Sequence, residues 1–175
     1  MIPFAIEVFF LRCYAFLLKI AVRILPMPSP LVFAGPGSRL QLCATIASTD
    51  VKNLLVVTDA MLNKLGLLDD MLAELEKRGV NTVVYDGIEP DPTVAQIEAG
   101  FDMLKANNCE AVLAVGGGSP IDAAKVIAAL PTNNKPIVKM AGLFKVRKPL
   151  LPLYVVPTTA GTGSEVSVGA VVTDV

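Results

Sequence analysis

The stretch Val112-Leu113-Ala114-Val115-Gly116-Gly117-Gly118-Ser119-Pro120-Ile121-Asp122 decides the fold. Four apolar residues read as a buried strand, and three glycines stop it. Ser119 is a good N-cap and Pro120 suits the first helical position. Asp122 falls three residues after the cap, where a carboxylate can reach back. The helix from Ile121 to Leu130 then runs to a break at Pro131. A strand, a glycine turn and a helix start gather free backbone N–H groups and a positive dipole end at one spot, which suits a phosphate or pyrophosphate. The competing explanation is a tight turn leading into a well-capped helix that binds nothing. The element is not the GxGxxG fingerprint, because its glycines are consecutive.

Outward from this point, strands and helices alternate. A short strand is predicted at Leu31 to Ala34, ended by Gly35-Pro36-Gly37, with Ser38 capping a helix from Arg39 to Ser48. Leu54 to Thr58 reads as a buried strand ending at Asp59. A helix from Leu67 to Arg78 is closed by Gly79, and Val80 to Tyr85 is the next strand. After the turn Glu89-Pro90-Asp91-Pro92, Thr93 and Gln96 can form a capping box for a helix to Ala106. Ala111 to Val115 and Leu153 to Val156 are further strands, and Val166 to Thr173 alternates like an antiparallel one. Apolar strands separated by helices predict an α/β fold: a doubly wound, mainly parallel sheet covered on both faces. Ligands of such sheets bind beyond the carboxyl ends of the strands, at the switch point.

Composition narrows the chemistry. At 175 residues with a net charge of −1, the chain has room for one ordinary domain and carries no nucleic-acid footprint. It contains no histidine, which excludes an imidazole base, shuttle or metal ligand from these residues. Cys13, Cys43 and Cys109 are odd in number and in no CxxC pair, so a reducing, cytoplasmic setting is expected rather than a disulfide framework.

Residues 1–30 form a separate region, an apolar helix and a Pro26-Pro28-Pro30 linker, ahead of a domain at 31–175. Glu7, Arg12, Lys19 and Arg23 interrupt the apolar run, so no stretch reaches the ~20 uncharged residues of a membrane span. A cleaved signal peptide fits poorly. On a helical wheel Arg12, Lys19 and Arg23 share a narrow ridge, and the rest is apolar. Such a segment packs as a helix on this protein's own missing remainder or on a second subunit, contacts a membrane surface through residues 1–25, or is disordered.

Two further loops follow strands. Asp59 could accept hydrogen bonds from a ribose diol and repel a 2′-phosphate, or it could simply cap a helix from Ala60 to Lys64. Pro157-Thr158-Thr159-Ala160-Gly161-Thr162-Gly163-Ser164-Glu165 offers hydroxyls, N–H groups and close approach, or is a polar connection between strands. Lys125 reads as a solvated or packing lysine rather than a catalytic one. Three loops converging on one sheet edge favour a dinucleotide or similar phosphate ester.

Together, Val56-Val57-Thr58-Asp59, Tyr85-Asp86-Gly87 with Pro90-Asp91-Pro92-Thr93, Gly116 to Lys125 and Pro157 to Glu165 resemble the iron-containing (group III) alcohol dehydrogenases. That family shares its Rossmann-like nucleotide-binding fold with glycerol dehydrogenase and dehydroquinate synthase. The resemblance covers about Leu31 to Val175. It implies NAD as cofactor, with Asp59 on the ribose, Gly116, Gly117, Gly118 and Ser119 with Asp122 at the pyrophosphate, and Thr158, Thr159 and Thr162 reaching the phosphates and the nicotinamide end. Asp91 and Ser167 match cofactor contacts where many members have asparagine and threonine. It also implies a small alcohol or aldehyde substrate, hydride transfer to NAD, and a homo-oligomer at full length. The family's iron or other divalent metal is held by one aspartate and three histidines on an all-helical second domain. None of that set is present, so no catalytic or metal residue is expected in this chain. It reads as the first half of a two-domain enzyme, and a polyol-type sister activity or a non-catalytic nucleotide-binding module are the alternatives.

Overall fold

A computed structural model of the chain describes residues 4–24 and 30–174. Two compact units are present, Met1–Val32 and Phe33–Val175. The first contains helix α1 (Phe4–Ile24). Phe9, Phe10, Leu11, Tyr14 and Phe16 on it are all exposed. The ridge predicted for it is described at Arg12 and Lys19, both exposed; the side chains of Glu7 and Arg23 lie outside the described ones. Among the described residues no helix is long and apolar enough to cross a membrane.

The second unit is a parallel sheet in the order β2-β1-β3-β4, formed by Asn53–Val57 (β1), Asn81–Tyr85 (β2), Ala111–Gly116 (β3) and Leu153–Pro157 (β4). All residues of β3 are buried, as a central strand covered on both faces requires. Successive side chains alternate between two cores. Leu54, Val56, Leu113 and Val115 pack with Cys43 and Ile46 of α2 (Ser38–Ala47) and, beyond α3 (Ala60–Lys64), with Met71 and Leu75 of α4 (Asp69–Lys77). Leu55, Val57, Val112 and Ala114 pack with Ile97 and Leu104 of α5 (Val94–Ala106) and with Ile121 and Ile127 of α6 (Gly118–Asn133). The short helix α7 (Ile137–Met140) follows α6. Because β2 and β3 flank β1, the strand order reverses between β1 and β3, and the loops after those strands share the carboxyl edge there.

Helix ends follow the chain's local chemistry where a side chain can act on the backbone. Thr93 and Gln96 close the expected capping box on α5. At Gly79, with φ +82°, the Val80 and Gly79 N–H groups bond the carbonyls of Leu75 and Glu76, a Schellman closure of α4.

Four expectations fail. Leu31 to Ala34 is not a strand. Ser38 does not cap α2; Gly37, with φ +78°, takes that place and Ser38 becomes the first helical residue. Pro131 does not break its helix, which continues to Asn133. Pro131 is exposed in the last turn, where its missing N–H deprives the Ile127 carbonyl of its helical donor, while the Asn133 side-chain amide donates separately to the Ala129 carbonyl. Val166 to Thr173 is not an antiparallel strand: it makes one parallel bridge, Thr93 with Thr173, and its exposed valines find no partner strand among the described residues.

Glu110 ties the sheet's other edge, accepting from the N–H groups of Lys52 (2.6 Å) and Asn53 (3.3 Å). Those two bonds hold its carboxyl below the usual carboxylate range. Because the folded value is depressed, the stabilisation is present above the unfolded value and is lost as pH falls through the folded one. Glu110→Gln should therefore lower the melting temperature at neutral pH, with the gap to the parent closing at acid pH. A gap that stays constant with pH would contradict this.

Candidate functional site

The glycine turn ends β3 at the switch point. The helix start lies earlier than the serine suggests: α6 begins at Gly118, its N-cap is Gly117 in extended backbone, and no side chain caps it. Ser119 is therefore not the cap but a first-turn residue. The change is tolerated because Pro120, in that same turn, has no N–H to leave unpaired. The first intrahelical bond is Ile121 N–H to Gly117 C=O. Ahead of it stand the Gly118 and Ser119 N–H groups, with no intrahelical acceptor and no cap. That is the arrangement that attracts an anion.

Close approach excludes a side chain at Gly116, crowds one at Gly117 and leaves ordinary contact distance at Gly118. A Cβ on Gly116 would lie 2.7 Å from Cγ of Pro120, one on Gly117 3.1 Å from Thr159 Oγ1, and one on Gly118 3.4 Å from Ser164 Oγ and 3.6 Å from Thr162 Cγ2. The Thr158 N–H also bonds the Gly116 carbonyl at 2.9 Å. Thr158, Thr159 and Thr162 are thus brought against the glycine turn. Ser164, which sequence reasoning did not single out, is buried beside Gly118.

Asp59 follows β1 on the other side of the switch. Its Oδ1 accepts from the Leu62 N–H at 2.9 Å, so the carboxylate does cap α3. The second oxygen has no bond among the described residues, so capping and ligand binding are compatible. The Asp59 backbone bridges Gly87, in the loop that also carries Asp91. Asp91 is exposed, with φ +57°, between two prolines. In the same region, the fully buried Thr58 hydroxyl has no partner among the described residues.

Asp122 and Ser167 spend their polar atoms on the chain itself. Asp122 does not reach back to the helix start. Its Oδ1 accepts from Lys125 Nζ at 3.1 Å and its Oδ2 from the Val171 N–H at 2.9 Å. Lys125 Nζ also donates to Ser167 Oγ (2.9 Å) and the Gly169 carbonyl (2.7 Å). The Lys125 and Asp122 side chains are each only 12% exposed. Lys125 is therefore a clamp holding residues 164–171, a role no local sequence signal could have revealed.

Similarity to known proteins shows the family of the fold that carries this geometry. The family model for iron-containing alcohol dehydrogenase matches residues 29–175. Alcohol dehydrogenase 4 of Schizosaccharomyces pombe is 40% identical over 140 residues, 80% of this chain and 33% of that protein. The NAD-dependent methanol dehydrogenase of Bacillus methanolicus is 34% identical over 145 residues, covering 83% and 38%. The solved alcohol dehydrogenase from Oenococcus oeni superposes with a TM-score of 0.79 at 38% identity, covering 85% of this chain and 39% of that one. The chain belongs to the iron-containing alcohol dehydrogenase family, and spans roughly a third of the length of the curated relatives it matches.

A family metal does not fit the residues present. There is no histidine in the chain, and no group of three His, Cys, Asp or Glu among the described residues could hold an ion.

Breaking the clamp should be costly. Lys125→Met leaves Asp122 without its counter-charge, and a loss on the order of 3 kcal/mol is expected in urea unfolding. Amide exchange should quicken at Ser167 to Val171, with Lys125→Arg affected less. Unchanged stability and protection would contradict the role.

Proposed function

We propose that this chain supplies the coenzyme-binding part of an NAD-linked alcohol dehydrogenase. The single observation that carries the reading is the uncapped start of α6 at a glycine turn pressed against Thr159 and Thr162. The Gly118 and Ser119 amides hold the pyrophosphate, with Gly116 and Gly117 keeping the approach free of side chains. Asp59 receives the adenosine ribose hydroxyls through its unbonded oxygen and disfavours a 2′-phosphate. Thr158, Thr159 and Thr162 line the phosphates toward the nicotinamide, and Asp91 closes the ribose side. Asp122 and Ser167 act behind the loop, through Lys125, rather than on the coenzyme.

The substrate is a small alcohol, oxidised to an aldehyde or ketone as its carbon-bound hydride passes to NAD and its hydroxyl proton departs. The name of the Bacillus methanolicus relative supports NAD as acceptor. No residue here is assigned to the proton or to a metal, so residues 1–175 are expected to bind coenzyme without turnover. Metal-stimulated alcohol oxidation by the purified chain would contradict that. A glycerol- or polyol-type substrate is the nearest rival, and the Thr158 to Glu165 loop favours the alcohol.

Calorimetric or fluorescence titration tests the reading. NADH should bind the chain, and NADPH more weakly. Gly117→Val should weaken NADH by at least about tenfold, roughly 1.4 kcal/mol, with a lowered but still cooperative melt because Thr159 must give way. Asp59→Ala should narrow the gap between the two coenzymes. No NADH binding by the folded parent would overturn the reading.

A further inference from the structure

Segment 134–150 carries Lys135, Lys139, Lys145, Arg147 and Lys148 and no acidic residue, in a chain whose net charge is −1. All five are exposed. None pairs with a carboxylate among the described residues. Between them stand exposed apolar side chains: Val138, Leu143, Phe144, Val146 and Leu150, with Leu143 67% and Phe144 60% accessible.

The segment is anchored at its base. Ile137 and Met140 are buried in the core, and the Asn133 side-chain carbonyl accepts from the Arg147 and Lys148 N–H groups at 3.1 Å each while its amide donates to the Ala129 carbonyl. At the tip, Gly142 has φ +105° and Phe144 φ +59°. The left-handed region is disfavoured for an aromatic residue, and such outliers concentrate where a surface is used. The segment joins the end of α6 to the start of β4, so it lies at the amino edge of the sheet, opposite the glycine turn.

We propose that this segment docks on an anionic phospholipid surface. Leu143 and Phe144 enter the headgroup boundary while Lys145, Arg147 and Lys148 meet lipid phosphates. Charge complementarity selects an acidic occupant, and the interleaved aliphatic residues select lipid over nucleic acid, which would use the cations but gain little from Leu143, Val146 or Leu150. A symmetric contact with a second copy would set five cations against five. Stable attachment takes two signals, and α1 supplies a separate one: Arg12 and Lys19 beside exposed Phe9, Phe10, Leu11 and Phe16. Docking through the amino edge leaves the carboxyl edge free, and the proposal does not depend on the coenzyme assignment.

Co-sedimentation of the full 175-residue chain with phosphatidylcholine vesicles, with and without phosphatidylserine, tests this. Binding should require phosphatidylserine and weaken with salt. The combined variant Lys145→Glu, Arg147→Glu, Lys148→Glu should reduce it at least about tenfold, and Leu143→Ser with Phe144→Ser should also reduce it, with melting and NADH affinity unchanged. Binding that ignores phosphatidylserine would overturn the proposal. So would loss of binding in Phe9→Asp with Phe16→Asp alongside no effect of either loop variant, since α1 alone would then carry attachment. A loop variant that alters only self-association in sedimentation velocity, or only DNA retention, would assign the surface elsewhere and overturn it as well.

Discussion

A helix that starts without a cap leaves backbone donors unpaired, and in this fold that deficit is placed at one location. Glycine occupies three consecutive positions from the turn into the first residue of α6, so no side chain there can accept from the first-turn amides. Pro120 removes one donor from the set, and the Ile121 N–H is satisfied by Gly117. What remains is a pair of adjacent amides at the positive end of a sixteen-residue helix. The sheet order brings that end to the reversal between β1 and β3, where Asp59 stands across from it.

The second wall depends on the first. Residues 158–173 have no ladder of their own, and contacts to α6 and its turn give the stretch its shape. Thr158 bonds to Gly116, Thr159 and Thr162 pack against Gly117 and Gly118, and Lys125 with Asp122 ties down Ser167, Gly169 and Val171. One helix thus leaves its first-turn amides open and fixes the opposing loop through the next turn. This explains why so polar a loop keeps a defined conformation without regular structure. Under the proposed function, Asp122 and Lys125 would bear on coenzyme binding through the loop they hold.

Most of the sheet was legible because β1 to β4 are short apolar runs closed by local signals, and the capping box at Thr93 and Gln96 is written in adjacent residues. The helix starts were harder. Ser38 and Ser119 are both good caps, yet glycines preceding them allowed each helix to begin earlier, and intrinsic cap preference could not foresee that. Val166 to Thr173 alternates convincingly, but its pairing depends on elements far away in sequence, and long-range clamping by Lys125 replaced a ladder. The candidate ligands on the glycine turn and the threonine loop came from local chemistry and do converge. The burial of Asp122 against Val171, forty-nine residues on, left no local trace.

Backbone amide shifts in a labelled sample, followed while NAD is titrated in, address the account at its centre. The largest perturbations should fall on Gly117, Gly118 and Ser119, with a second group at Thr158 to Thr162, and pyrophosphate alone should reproduce the first group. Saturable binding that left those amides unmoved, or shifted only residues on the opposite edge of the sheet, would contradict it.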